Sequence, residues 1–231
     1  MISLFGESAA GPDAGLIESV LRADMALFEL LPITVQAELV RFVPDFLRGK
    51  TFYGCNGLQV TEAQKILVAG LAALAGRTQP VGFFRTTRWI LLYPDLADLD
   101  GQAFDCSKVV LAWAPLLAES QQVHYCQNLG VHEFTHVMDQ LLGISGGSAA
   151  QRDGLAALQQ QLLVDEATLL DDHAAEGPEE FLAAAAEAFF SAPLELAAEY
   201  PDLYPELVQL FGIDMGQILG PWPEADDQGP A

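Results

Sequence analysis

The apolar positions of the chain recur mainly with helical spacing. Over residues 16–31 they fall at Ile17, Val20, Leu21, Met25 and Phe28, which predicts one amphipathic helix ended by Pro32. A second helix is predicted behind Thr34 as N-cap. Val35, Leu39, Phe42, Val43, Phe46 and Leu47 form its inner side, and Pro44 kinks or shortens it. Thr61, with Gln64 three residues on, reads as the N-cap of a largely buried helix over 66–75 that stops at Gly76. Two short apolar runs break this period and read as strands: 88–93, closed by Pro94, and 108–113. Residues 50–57 read as a turn-rich connection and 95–105 as an acidic loop, while 116–127 carries no clear period.

The next pattern is a helix over 129–142 ended by Gly143, followed by a Gly/Ser/Ala loop over 144–154 and a helix over 155–170. Residues 171–178 form a turn, and Pro178 suits the first turn of a helix over 179–190. Residues 194–211 continue helically, with interruptions at Pro201 and Pro205. Residues 1–15 and 221–231 read as loose ends. With no repeat and no clean linker, the expectation is one domain over 1–231. Its class is α+β: helix-dominated, with a small sheet beside the 129–142 helix.

Composition narrows the classes. A hydrophobic share of 51% supports a sizeable core and excludes disorder. The net charge of −22 argues against nucleic-acid binding, which needs a basic footprint, and against anionic membrane surfaces. It is compatible with a basic partner or simply with solubility. Three cysteines without a C-x-x-C fit a reduced, cytoplasmic setting rather than a disulfide framework. No signal peptide is expected at the start, and the longest apolar runs are too short to span a bilayer.

The chemistry lies in the 129–142 helix, which reads His132-Glu133-Phe134-Thr135-His136. Positions four apart share a helix face, so both imidazoles can meet one metal ion. Glu133, one step round, reaches a water on that metal rather than the metal itself. Two histidines, a metal and a proton-accepting carboxylate make a zinc hydrolase arrangement. The flanking Leu129, Val131, Phe134, Val137 and Met138 are apolar, so a buried helix would be carrying polar groups that need partners.

A catalytic zinc keeps three protein ligands and one open position. Glu187 is the candidate third ligand, as the lone charge in the apolar stretch from Phe181 to Phe190. Glu180, two turns earlier on nearly the same face, is the candidate to sit behind the ligands and accept a hydrogen bond from a histidine. One zinc per chain is expected.

These residues resemble the Mlc titration factor A family of bacterial zinc-dependent peptidases, itself related to gluzincin-type metallopeptidases. The resemblance covers residues 31–211. Its landmarks are Phe52-Tyr53-Gly54, Gly57-Leu58-Gln59-Val60-Thr61, Tyr93-Pro94, Val109 to Trp113 and Asn128. The strongest are the His132 to His136 motif with Asp139, and the stretch from Glu180-Phe181 to Glu187-Ala188-Phe189-Phe190. It implies a zincin-like domain, zinc ligands at His132, His136 and Glu187, and a catalytic Glu133. Two features depart from the family: His173 stands where a tyrosine is common, and Ile144-Ser145-Gly146-Gly147 replaces a usual Asn-Gly pair.

Two functions compete. One is a metallopeptidase acting on peptide substrates, with the aminopeptidase-like activity that the resemblance implies. Its oxyanion donor is left open among His173, Tyr125 and His124. The other is a regulatory binding protein that sequesters a transcriptional repressor, because the family name comes from inactivating a glucose-responsive repressor in enteric bacteria. Loss of Glu133 would abolish the first activity and spare the second.

Overall fold

The computed structural model of the protein describes residues 11–95, 101–104, 106–146, 169–170 and 172–220. Helices α1 (Ala14–Asp24) and α2 (Ile33–Leu47) precede strand β1 (Thr51–Gly54), and α3 (Glu62–Gly76) separates it from β2 (Trp89–Tyr93). Strands β3 (Gly101–Phe104) and β4 (Lys108–Ala112) lead into α4 (Trp113–Ser120) and α5 (Leu129–Leu142). The chain then runs through α6 (Pro178–Ser191), α7 (Pro193–Glu199), α8 (Leu203–Phe211) and the single turn α9 (Gly216–Leu219). The four strands form one sheet in the order β1-β2-β4-β3, with β1, β2 and β4 parallel and β3 antiparallel at the edge. The fold is α+β and helix-dominated, with α5 lying along β3 and β4.

Helix α3 is the centre. Every residue from Ile66 to Gly76 is buried, as expected of a helix apolar all round. Its start is held by the capping box: the Gln64 N–H donates to Thr61 Oγ1 (3.2 Å) and the Thr61 N–H to Gln64 Oε1 (2.8 Å). Helices α1, α2 and α5 pack on it. Gly130 of α5 sits so close to α3 that a Cβ there would lie 2.4 Å from Leu71 Cδ1 and 2.9 Å from Leu71 Cβ. The missing side chain therefore sets how near the motif helix comes to the core.

The structure corrects several boundaries. The helix expected over 16–31 breaks at Met25, whose φ of −128° and ψ of 91° are extended, and continues as a 3-10 turn over Ala26–Leu30. No breaker residue marks the break; burial of Met25 in the core accompanies it. The same helix starts earlier than the pattern suggested, because the Asp13 side chain accepts from the Leu16 N–H at 2.8 Å. Thr34 is not a cap: α2 begins at Ile33, and the Pro32 carbonyl accepts its first hydrogen bonds. Pro44 lies within α2, which runs on to Leu47.

Strands β1 and β3 fall where a turn-rich connection and an acidic loop were expected. Each is four residues long, too short for a period, and each is defined by its neighbour's backbone. Trp113 begins α4 rather than ending β4. The helix expected over 155–170, except its last two residues, lies outside the described residues. So do 1–10, 221–231 and most of the 144–154 loop.

The Gly130 contact has a measurable consequence. Gly130→Val is expected to cost about 1–3 kcal/mol by overpacking against Leu71. The readout is the midpoint of urea unfolding, which should fall at unchanged slope.

Candidate metal centre

Helices α5 and α6 pack side by side and carry the polar cluster. The α6 face is made of small residues, with Ala183, Ala184, Ala185 and Ala186 all buried, which permits the close approach. The start of α5 is tied down by three side chains. The Val131 N–H donates to Asn128 Oδ1 (3.1 Å), the Leu129 N–H to Glu119 Oε2 (2.7 Å) and the Asn128 N–H to Glu187 Oε1 (2.7 Å). These satisfy backbone donors that a helix N-terminus leaves open. At the other end Gly143 takes the left-handed cap at φ 67°, and buried Asp139 accepts from the Ser145 N–H at 2.7 Å.

His132 and His136 share a face of α5, and their Nε2 atoms lie 3.0 Å apart. Glu180 Oε2 lies 3.2 Å from the first and 3.1 Å from the second. Glu187 is elsewhere: its Oε2 lies 3.0 Å from Nδ1 of His132, on the far side of that ring. The two carboxylates thus exchange the places expected of them. Glu180 faces both imidazoles where Glu187 was placed, and Glu187 backs His132 where Glu180 was placed. The physical reason is position along α6. Glu180 sits in the first turn, at the mouth of the site, where the helix dipole favours a negative charge. Glu187 is two turns deeper, and the Asn128 N–H and His132 relieve the cost of burying it. Its isolation among apolar residues was therefore a true signal of a paired carboxylate but not of which atom it pairs with.

The charges are strongly coupled. Burial works against a charge on His132, yet hydrogen bonds with Glu180 and Glu187 outweigh it and raise the imidazolium to about 10. The hydrogen bonds from His132 and then His136 hold the Glu180 carboxyl well below the usual carboxylate range. Burial pushes Glu133 up to about 8; His132 opposes this, and Glu180 and Glu187 add to it. Glu133 Oε2 is buried and meets no hydrogen-bond partner among the described residues.

The donor set suits a metal ion. Nitrogen and oxygen ligands about 2.0–2.1 Å from a tetrahedral zinc lie about 3.3 Å from one another. The triangle of His132 Nε2, His136 Nε2 and Glu180 Oε2 has edges of 3.0, 3.2 and 3.1 Å. A metal ion fits among these donors.

His173, on a 3-10 turn over Asp172–Ala175, reaches the same place, with Nε2 3.2 Å from Glu180 Oε2. The other two candidate donors lie differently. His124 Nδ1 is 3.1 Å from the Ser191 carbonyl, and Tyr125 is exposed on a cavity of about 330 Å³ beside Glu187. Cys126 lines that cavity too, and burial pushes its thiol up to about 11, so it stays protonated at neutral pH. Sequence reasoning missed Glu119 and Glu176. Glu176 lies 2.9 Å from His173 Nδ1, and its three-residue spacing from His173 was the available signal.

Residues 12–212 match the family model described as glucose-regulated metallo-peptidase M90. The chain belongs to the M90 family of metallopeptidases. Among similar proteins, the Mlc titration factor A of Edwardsiella ictaluri is 28% identical, across 80% of this chain and 82% of its own. That of Cronobacter sakazakii is 23% identical, across 78% and 79%. The Synechocystis protein slr2042 is 24% identical, across 73% of each chain. The helix-dominated fold with its small sheet agrees with a zincin-like metallopeptidase domain. Among the described residues no helix is long and apolar enough to cross a membrane.

The coupled charges imply a pH signature for the metal-free protein. Glu133 and His132 both titrate higher when folded, at about 8 and 10. These two groups therefore hold more protons in the folded state than in the unfolded chain from about pH 5 to 10, and the stability they contribute falls as pH rises through that window, opposed above about pH 8 by Lys50, which burial lowers to about 8. Metal binds the deprotonated ligands, so metal-loaded protein is expected to lack that fall. Melting curves at pH 5.5, 7 and 9, with chelator and with metal, test this. Parallel curves would show that the cluster does not carry these protons.

Proposed function

We propose that the chain is a zinc-dependent metallopeptidase. In this reading His132, His136 and Glu180 hold the metal, Glu187 orients His132, and Glu133 is the proton acceptor. The observation that carries it is the triangle of two Nε2 atoms and one carboxylate oxygen, with edges matched to a tetrahedral ion. The M90 membership supports the reaction class. Zinc, when bound, would polarise the scissile carbonyl and lower the pKa of water towards about 7.

The protein's own residues supply the rest. Glu187 accepts a hydrogen bond from the Nδ1–H of His132, which fixes the tautomer and leaves the Nε2 lone pair for the metal. Glu133, next to His132 on α5, has a buried Oε2 with no partner among the described residues, which leaves that oxygen open to accept a proton and return it to a leaving amine. The cavity beside Glu187, lined in part by Leu169, Leu170 and Ala184, offers room for a small apolar substrate side chain. An aminopeptidase-like preference for short peptides and a cytoplasmic setting complete the reading.

A second reading is favoured by the names of the relatives. Several similar proteins are called Mlc titration factor A, which points to capture of a regulator, and the charge of −22 suits a basic partner. Such capture would not need Glu133.

Protein purified without added metal is expected to contain about one zinc per chain. Glu180→Ala should lose it, whereas Glu187→Gln, which removes only the partner of His132 Nδ1, should weaken binding by about 10–100-fold. Equal retention in both variants would remove Glu180 from the ligand set.

Glu133→Gln should keep zinc and lose peptide hydrolysis by roughly 10²–10⁴-fold, since the amide cannot accept a proton. Parent-like cleavage by that variant would remove Glu133 from the mechanism.

A further inference from the structure

The mouth of the site carries a third imidazole. Glu180 Oε2 is met by Nε2 of His132 at 3.2 Å, of His136 at 3.1 Å and of His173 at 3.2 Å. The ligand atoms offered by His132, His173 and Glu180 all lie within 4.8 Å of one another. The His173 ring stacks on that of His132, with centroids 6.1 Å apart and planes 20° from parallel.

The two rings are held in the same way. His132 places Nδ1 3.0 Å from Glu187 Oε2 and turns Nε2 to Glu180. His173 places Nδ1 2.9 Å from Glu176 Oε1 and turns Nε2 to the same Glu180 oxygen. A carboxylate on Nδ1 is the usual support of a metal-ligating histidine, because it accepts a hydrogen bond from Nδ1–H and so keeps the proton there and the lone pair on Nε2. His173 is half exposed at 50%, so solvent alone would satisfy both its nitrogens. Instead it is aimed inward and braced.

We propose that His173 is a fourth protein ligand to the metal, so that the resting centre is three imidazoles and one carboxylate. The inference rests on the metallopeptidase reading above and deepens it. A zinc with four protein ligands is closed, whereas a hydrolytic one needs a free position. Of the four ligands, His132 and His136 are fixed on the buried helix α5 and Glu180 on the first turn of α6. His173 is half exposed at the mouth, on the short 3-10 turn, and is the ligand that a substrate can displace. Entry to the site is thus gated by the affinity of one surface imidazole.

The test uses the full-length chain, stripped of metal and titrated with zinc against a chromophoric chelator, and in parallel loaded with cobalt. His173→Ala should weaken zinc by about tenfold or more and change the visible cobalt spectrum, because solvent replaces an imidazole. Glu176→Gln should give a smaller loss in the same direction. X-ray absorption of the zinc-loaded parent should count three imidazoles, a readout that needs no variant. Two imidazoles in the parent, or parent-like zinc affinity and cobalt spectrum in His173→Ala, would overturn the proposal. Failure of the parent itself to take up zinc would instead overturn the metallopeptidase reading on which it rests.

Discussion

Two imidazole nitrogens 3.0 Å apart, both against one carboxylate oxygen, are an electrostatic demand that the fold must meet. Lone pairs do not face each other at that distance without a proton or a cation between them. In the metal-free chain the demand is met by protons, which is why His132 holds its charge to about 10 despite burial. A divalent ion meets it better, because it serves both nitrogens and the oxygen at once. The site is a cation hole built before the cation arrives.

The surrounding structure fixes the two helices that make the hole. Glycine at 130 lets α5 come down onto Leu71, in the buried part of α3. A run of buried alanines lets α6 approach α5. The N-terminus of α5 is then locked by Asn128, Glu119 and Glu187, so one carboxylate both caps the helix and orients its first histidine. Such double use couples backbone stability to ligand geometry. The sheet adds a second support, since its three parallel strands place β4 and the edge strand β3 along α5.

Most of the machinery is carboxylate. Glu180, Glu187 and Glu176 each pair with an imidazole nitrogen, and Glu133 lies beside them with its buried Oε2 unmet by any hydrogen-bond partner among the described residues. Packing negative groups this closely is costly unless positive charge is supplied. The described residues place imidazoles here rather than lysine or arginine, which leaves room for an external ion to supply the remainder.

Much of this was legible in the sequence. The capping box at Thr61 and Gln64, the buried helix behind it, the histidine pair on one helical face and the proline that opens α6 all follow from local chemistry. Each is decided within a few residues, so the chain states it directly. Strands β1 and β3 were not legible, because a four-residue strand takes its identity from the backbone beside it. The break at Met25 was not, because burial rather than a breaker residue accompanies it. The most instructive case is the pair Glu180 and Glu187. Seven residues apart on one helix, they share a face, and periodicity cannot say which turn lies opposite which ring nitrogen. That depends on how far α6 slides along α5, a matter of helix packing over many side chains. The sequence determined that two histidines and two carboxylates would meet; only the tertiary structure decided which atoms face one another.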